Sequence, residues 1–210
     1  MSAAAVTSLL GASWLAVRRP PLLAPVLAAV LLVTGSLPWQ GEGRAVDVLH
    51  GLGVLAAVAW AACTDDPAGE VAAATPYPRW LRSAARLVVG LALVLPVYLL
   101  GFAVARASYR PLPGTALVAE AAAYALAAVA IGLALRAWAG QHRPSYQASI
   151  GLLGIALATY ALPRGWTMVD PQTWGPPWEA ALWRWSALAL VATGVAVAAL
   201  ADPAGRGRRR

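Results

Sequence analysis

The sequence predicts an all-α, polytopic membrane protein with six transmembrane helices, and three observations predict it. Six apolar stretches of spanning length fill most of the 210 residues; a spanning helix needs roughly 20 such residues at about 1.5 Å rise each. Hydrophobic residues make up 60 % of the chain and charged residues 12 %, against about 25 % charged in ordinary soluble domains. Trp39, Trp80, Trp138, Trp166, Trp174, Trp178, Trp183 and Trp185 fall at or near predicted span ends, where the amphipathic indole prefers to sit. The mean hydropathy of +0.64 agrees, and the short gaps between spans leave room for a single membrane domain over residues 1–210.

The first 17 residues carry no charge, and Arg18 and Arg19 follow them. A cleaved signal peptide has the reverse order, so residues 1–19 read as an interfacial helix, with Val6, Leu10, Trp14 and Val17 near one face. The spans then follow as Pro21–Pro38, Val46–Cys63, Leu87–Ala105, Ala116–Leu135, Ser145–Leu162 and Ala180–Leu200. Pro96 predicts a kink in the third span. The alanines of the fourth span and Gly154-x-x-x-Ala158 in the fifth permit close helix approach.

Two connecting segments are unusual. In residues 64–82, Thr64-Asp65-Asp66-Pro67 reads as a helix start: Asp66 caps free N–H groups, Pro67 suits the first helical position, and Glu70 meets the positive end of the dipole. This short helix, with Val71 inside it, runs to about Ala74 and stops at Thr75-Pro76-Tyr77-Pro78. Arg79, Arg82 and Arg86 follow at helical spacing as one basic stripe at the start of the third span. The segment reads either as a loop with topogenic arginines or as a docking element for a cytoplasmic partner. Residues 163–179 hold three Trp and four Pro. That is too apolar for a free loop and predicts a segment folded back on the outer membrane face. It is either an anchor or an outer gate built on Trp166, Trp174 and Trp178.

All 16 basic residues are arginine, with no Lys and no Asn, a usage that reflects the codons of a GC-rich bacterial genome. The net charge of +7 is distributed at span ends and gives no nucleic-acid signature. With the N-terminus inside, 11 arginines fall on the inner side and 5 on the outer. The positive-inside rule therefore places both termini in the cytoplasm, the basic tail 203–210 included, in a bacterial inner membrane.

Ionisable residues near membrane depth are Glu120 in the fourth span, Arg184 in the sixth and His50 in the second, with Asp47 one turn before His50. Such residues face a bundle interior or a cleft, and a Glu120–Arg184 pair is one arrangement open to them. The sequence offers no catalytic set: it has no HExxH, no Gly-x-Ser-x-Gly, no Walker A loop and no metal-ligand spacing. Its one cysteine, Cys63, excludes an internal disulfide.

The order of segments and the run Asp65-Asp66-Pro67 … Tyr77-Pro78-Arg79 resemble the ABC-2-type permease family, membrane subunits of ATP-binding-cassette exporters. The resemblance implies that Asp65, Asp66, Pro67, Glu70 and Val71 belong to a coupling helix docking on a cytoplasmic ATPase, and that 163–179 matches the family's outer hairpin. It implies no cofactor in this chain, with ATP and Mg²⁺ bound by the partner ATPase. The implied partners are ATPase subunits, a second permease subunit (homo- or heterodimer) and membrane lipid, but no nucleic acid. Few polar residues point inward, so the expected cargo is hydrophobic or amphiphilic. Two other classes stay open: an accessory or scaffold subunit, and a membrane enzyme acting on lipid.

Overall fold

A computed structural model describes residues 19–36, 42–66, 78–108, 114–163 and 176–201, together with Thr7, Ser8, Gly11, Leu112 and Met168. Six α-helices are described in full: α1 (Arg19–Ser36), α2 (Glu42–Ala61), α3 (Arg79–Ser108), α4 (Gly114–Trp138), α5 (Ser145–Ala161) and α6 (Pro176–Ala201). A 3₁₀ turn, Ala62–Thr64, extends α2, and no strand occurs among the described residues. The fold is all-helical, as the apolar runs predict.

Among the described residues, four helical segments are long and apolar enough to cross a membrane: Ala45–Thr64, Arg79–Ala107, Gly114–Trp138 and Glu179–Ala201. Helix α5 has 17 residues, and the described apolar part of α1 is Leu23–Leu32. At about 1.5 Å per residue, α5 reaches about 26 Å, slightly less than a hydrocarbon core of about 30 Å. Helix α3 runs unbroken through Pro96.

Helices α2 and α4 form the centre. Their apolar windows are 56 % and 61 % buried, against 22 % for α3 and 17 % for α6. Helix α4 packs most extensively on α6 and then on α2, and α2 also touches α1, α3 and α5. The physical reason is side-chain size. In lipid, helices associate through close packing rather than hydrophobic expulsion, and the seam between α2 and α4 is lined by Ala57, Ala61, Ala123 and Ala128, all fully buried. A Cβ on Gly53 would lie 3.3 Å from the Ala121 Cβ, so these backbones approach closely.

Three sequence expectations change. Gly154 has open space around it, and both it and Ala158 are exposed; the small-residue face of the fifth span is not used inside this chain. Trp185 is no interfacial belt residue. It is fully buried, its ring 4.9 Å from that of Tyr124, and its indole N–H donates to the Met168 carbonyl at 2.9 Å. By contrast Trp80, Trp138 and Trp183 are more than half exposed on the bundle surface, as belt residues are. Arg86 leaves the basic stripe: Arg79 is exposed, while Arg86 is buried.

Candidate functional site

Polar side chains gather at two depths in this apolar bundle. The first cluster sits where α2 ends. After the 3₁₀ turn the chain becomes extended at Asp65, with φ −62° and ψ 142°. Asp65 and Asp66 then turn inward and are 3 % and 5 % exposed. Asp66 accepts from Arg86 of α3, Nη1 lying 2.5 Å from Oδ1, and from Arg136 of α4 at its other oxygen. Arg136 also donates to Ser83 Oγ at 3.0 Å. Burial alone would raise the Asp66 carboxyl, but the Arg86 hydrogen bond and the charges of Arg86, Arg136 and Arg82 outweigh it and hold it below its ordinary value.

Asp65 does a different job. Helix α5 begins after Pro144, whose side chain offers no cap. Asp65 supplies the cap from a distance: the Ser145 N–H donates to Oδ1 at 2.9 Å and the Ser145 hydroxyl to Oδ2 at 2.8 Å. A carboxylate at a helix N-terminus satisfies an orphan donor and meets the positive dipole end. The turn between α4 and α5 is shaped to meet this segment. Gly140 adopts φ +67°, a conformation that favours glycine. Ala139 and Gln141 N–H groups both return to the Leu135 carbonyl, at 3.1 and 3.2 Å. The His142 carbonyl then accepts the Asp66 N–H at 3.1 Å. Two consecutive aspartates thus bind the segment after α2 to the ends of α3, α4 and α5.

The second cluster lies toward the other end of the bundle. His50 of α2 and Glu120 of α4 are 3 % and 2 % exposed, with Nδ1 2.6 Å from Oε2. Tyr160 of α5 stands edge-on to His50, ring centroids 6.4 Å apart. Nearby hydroxyls are satisfied: Tyr98 donates to the Leu117 carbonyl at 3.0 Å, and Tyr124 and Thr159 share a hydrogen bond of 3.1 Å. Glu120 is met by His50; Arg184, the other partner open to it from sequence, is half-buried on α6.

Comparison with family models, curated proteins and solved structures finds no match to this chain.

Among the described residues no group of three His, Cys, Asp or Glu is placed to hold a metal ion. Cys63 is buried, packed against Gly90 of α3. On the flank of α4, α5 and α6 an open, apolar groove of about 510 Å³ runs between Ala130, Ile131, Ile155 and Leu188, bounded by Trp138. The helix expected over Asp66–Ala74, with Pro67, Glu70 and Val71, lies outside the described residues apart from Asp66 itself. So do most of 163–179, with Trp166 and Trp174, and the tail 203–210.

Sequence reading missed the clamp. Asp66 is read as a helix cap and Arg86 as topogenic, and Arg136 draws no attention. The available signal was Arg86 and Arg136 standing at the ends of apolar runs beside an acidic pair, since arginines near span ends also arise from topology alone.

Proposed function

We propose that this chain is the membrane-spanning subunit of an ATP-binding-cassette transporter that exports a hydrophobic or amphiphilic substrate by alternating access, powered by a separate cytoplasmic ATPase. The observation that carries the reading is the Asp65–Asp66 anchor. Asp65 and Asp66, which directly precede residues 67–77 in sequence, are bonded to Ser145 on α5 and to Arg86 on α3 and Arg136 on α4. A push on that segment therefore reaches three helices at once instead of being absorbed in a slack loop, which is what transmission from a moving ATPase requires. The open apolar groove beside α4 supports an apolar cargo, because it offers contact area and few polar partners.

In this reading all six helices cross the bacterial inner membrane, α1 and α5 with some local bilayer thinning. Both termini and the Asp65–Asp66 root lie on the cytoplasmic side, and His50 and Glu120 lie toward the outer face. Pro67, Glu70 and Val71 contact the ATPase; Arg79 and Arg82 fix topology or meet anionic lipid. A second permease subunit completes the assembly.

Cysteines placed singly at 70 to 74, in a chain lacking Cys63, test the reading. Crosslinks to a copurified ATPase are expected at these positions, and ATP-dependent flux in the reconstituted complex. Unlinked positions 70–74 beside an efficiently linked arginine tail would overturn the docking assignment. Labelling of position 70 or 206 from outside would overturn the topology.

A further inference from the structure

We propose that Arg86 binds a phosphate group on the unused edge of its guanidinium, among the arginines at the start of α3 and the end of α4. The site goes beyond the transporter reading and holds for either orientation of the chain.

Arg86 is 4 % exposed, and one of its three nitrogens is used: Nη1 donates to Asp66 Oδ1 at 2.5 Å. Nε and Nη2 are buried and meet no acceptor. Their N–H bonds project side by side from one edge of the planar guanidinium. That edge is the fork that takes two oxygens of a carboxylate or phosphate at once. Leaving a buried, charged donor unmade is costly, and here a whole fork is unmade. The polar groups around it are already committed. The second oxygen of Asp66 accepts from Arg136, and both oxygens of Asp65 accept from Ser145. Ser83 Oγ accepts from Arg136 and donates to the Arg79 carbonyl at 3.1 Å.

Charge points the same way. Arg79, Arg82 and Arg86 all act electrostatically on Arg136. Among the described residues, the carboxylates at this end of the bundle are Asp65 and Asp66. Arg82 has an interaction of its own; with Arg82 left out, the three guanidiniums of Arg79, Arg86 and Arg136 still outnumber the two carboxylates. A singly charged phosphodiester cancels that surplus.

The cluster is not sealed from its surroundings, since the Arg136 side chain is 19 % exposed. Along one face of α3 exposure falls from exposed Arg79 through half-buried Arg82 to buried Arg86. Cations graded from surface to interior draw an anion inward. Trp80, next to Arg79 in the chain, is exposed, as an indole at headgroup level is. A lipid headgroup and a phosphate dissolved in water therefore both reach this end, and both carry the group that the fork recognises.

The test uses the full chain in a maltoside detergent, which carries no phosphate, at constant ionic strength. The probes are phosphatidylglycerol, inorganic phosphate and diacylglycerol, and the reading is the thermal unfolding midpoint. A saturable rise is expected with a phosphate-bearing probe and none with diacylglycerol. A rise with phosphatidylglycerol alone assigns a lipid headgroup; a rise with inorganic phosphate assigns a soluble phosphate. Arg86→Lys keeps the charge facing Asp66 but removes the fork. It should weaken affinity about tenfold, the loss of one charge-assisted hydrogen bond. Native mass spectrometry of the unaltered chain depends on no variant folding, and should retain the bound phosphate probe but no diacylglycerol. Indifference to both phosphate probes, an equal effect of diacylglycerol, or undiminished affinity in Arg86→Lys would overturn the site. None of these measurements involves an ATPase, so their failure is distinct from failure of the transporter reading.

Discussion

Asp66 and Arg86, twenty positions apart in sequence, meet with Oδ1 2.5 Å from Nη1 while both are nearly inaccessible to solvent. Arg136 closes the other carboxylate oxygen from a third helix. One anion therefore compensates two cations just beyond the end of α2, and the energetics of that arrangement are asymmetric: breaking a buried pair costs far more than the pair contributes.

Asp66→Ala strands the Arg86 guanidinium and should cost about 3–5 kcal/mol of stability. Asp66→Ala combined with Arg86→Met should recover part of that loss, because the stranded charge is gone. Thermal unfolding of the purified variants in nanodiscs reads both, and equal destabilisation of the single and double variants would contradict the clamp.

The same carboxyl sets an acid limit. Its value in the fold lies below the ordinary 3.8, so its contribution is fully present above that value and is lost as pH falls through the lowered one. Stability against pH should stay level on this account down to about pH 4 and decline in stronger acid. Asp66→Asn should remove that part of the decline, read as midpoint against pH.

Gly132 and Gly154 should respond oppositely to alanine. A Cβ on Gly132 would meet the Thr64 side chain, with Cβ and Cγ2 both at 2.9 Å, whereas nothing lies within 4 Å of one on Gly154. Gly132→Ala should destabilise by about 1–3 kcal/mol, and Gly154→Ala should leave the single chain unchanged within about 0.5 kcal/mol. Unfolding midpoints of the two variants decide.

Trp185 should behave as a core residue. Trp185→Phe keeps an aromatic ring beside Tyr124 but loses the donor to the Met168 carbonyl, a loss of about 1 kcal/mol. Trp185→Ala should cost about 3–5 kcal/mol. The exposed Trp183→Ala is the control, expected to shift stability little.

The sequence by itself determined the helical class, since apolar runs of spanning length separated by short polar gaps leave the backbone no other way to satisfy its hydrogen bonds in lipid. It also located the polar positions: His50, Asp65, Asp66, Arg86 and Glu120 stand out because such residues are scarce in so apolar a chain. Only the tertiary structure decided who meets whom. Asp65 at the start of α5, Asp66 between Arg86 and Arg136, and Glu120 against His50 are contacts across 80, 20, 70 and 70 positions. Periodicity along one helix carries no information about the azimuth of another. The same reason governs Trp185 and Gly154: residue type allows either a lipid-facing or an inward place, and the packing of α6 on α4 put the tryptophan inside against Tyr124, while the rotation of α5 left the glycine outside.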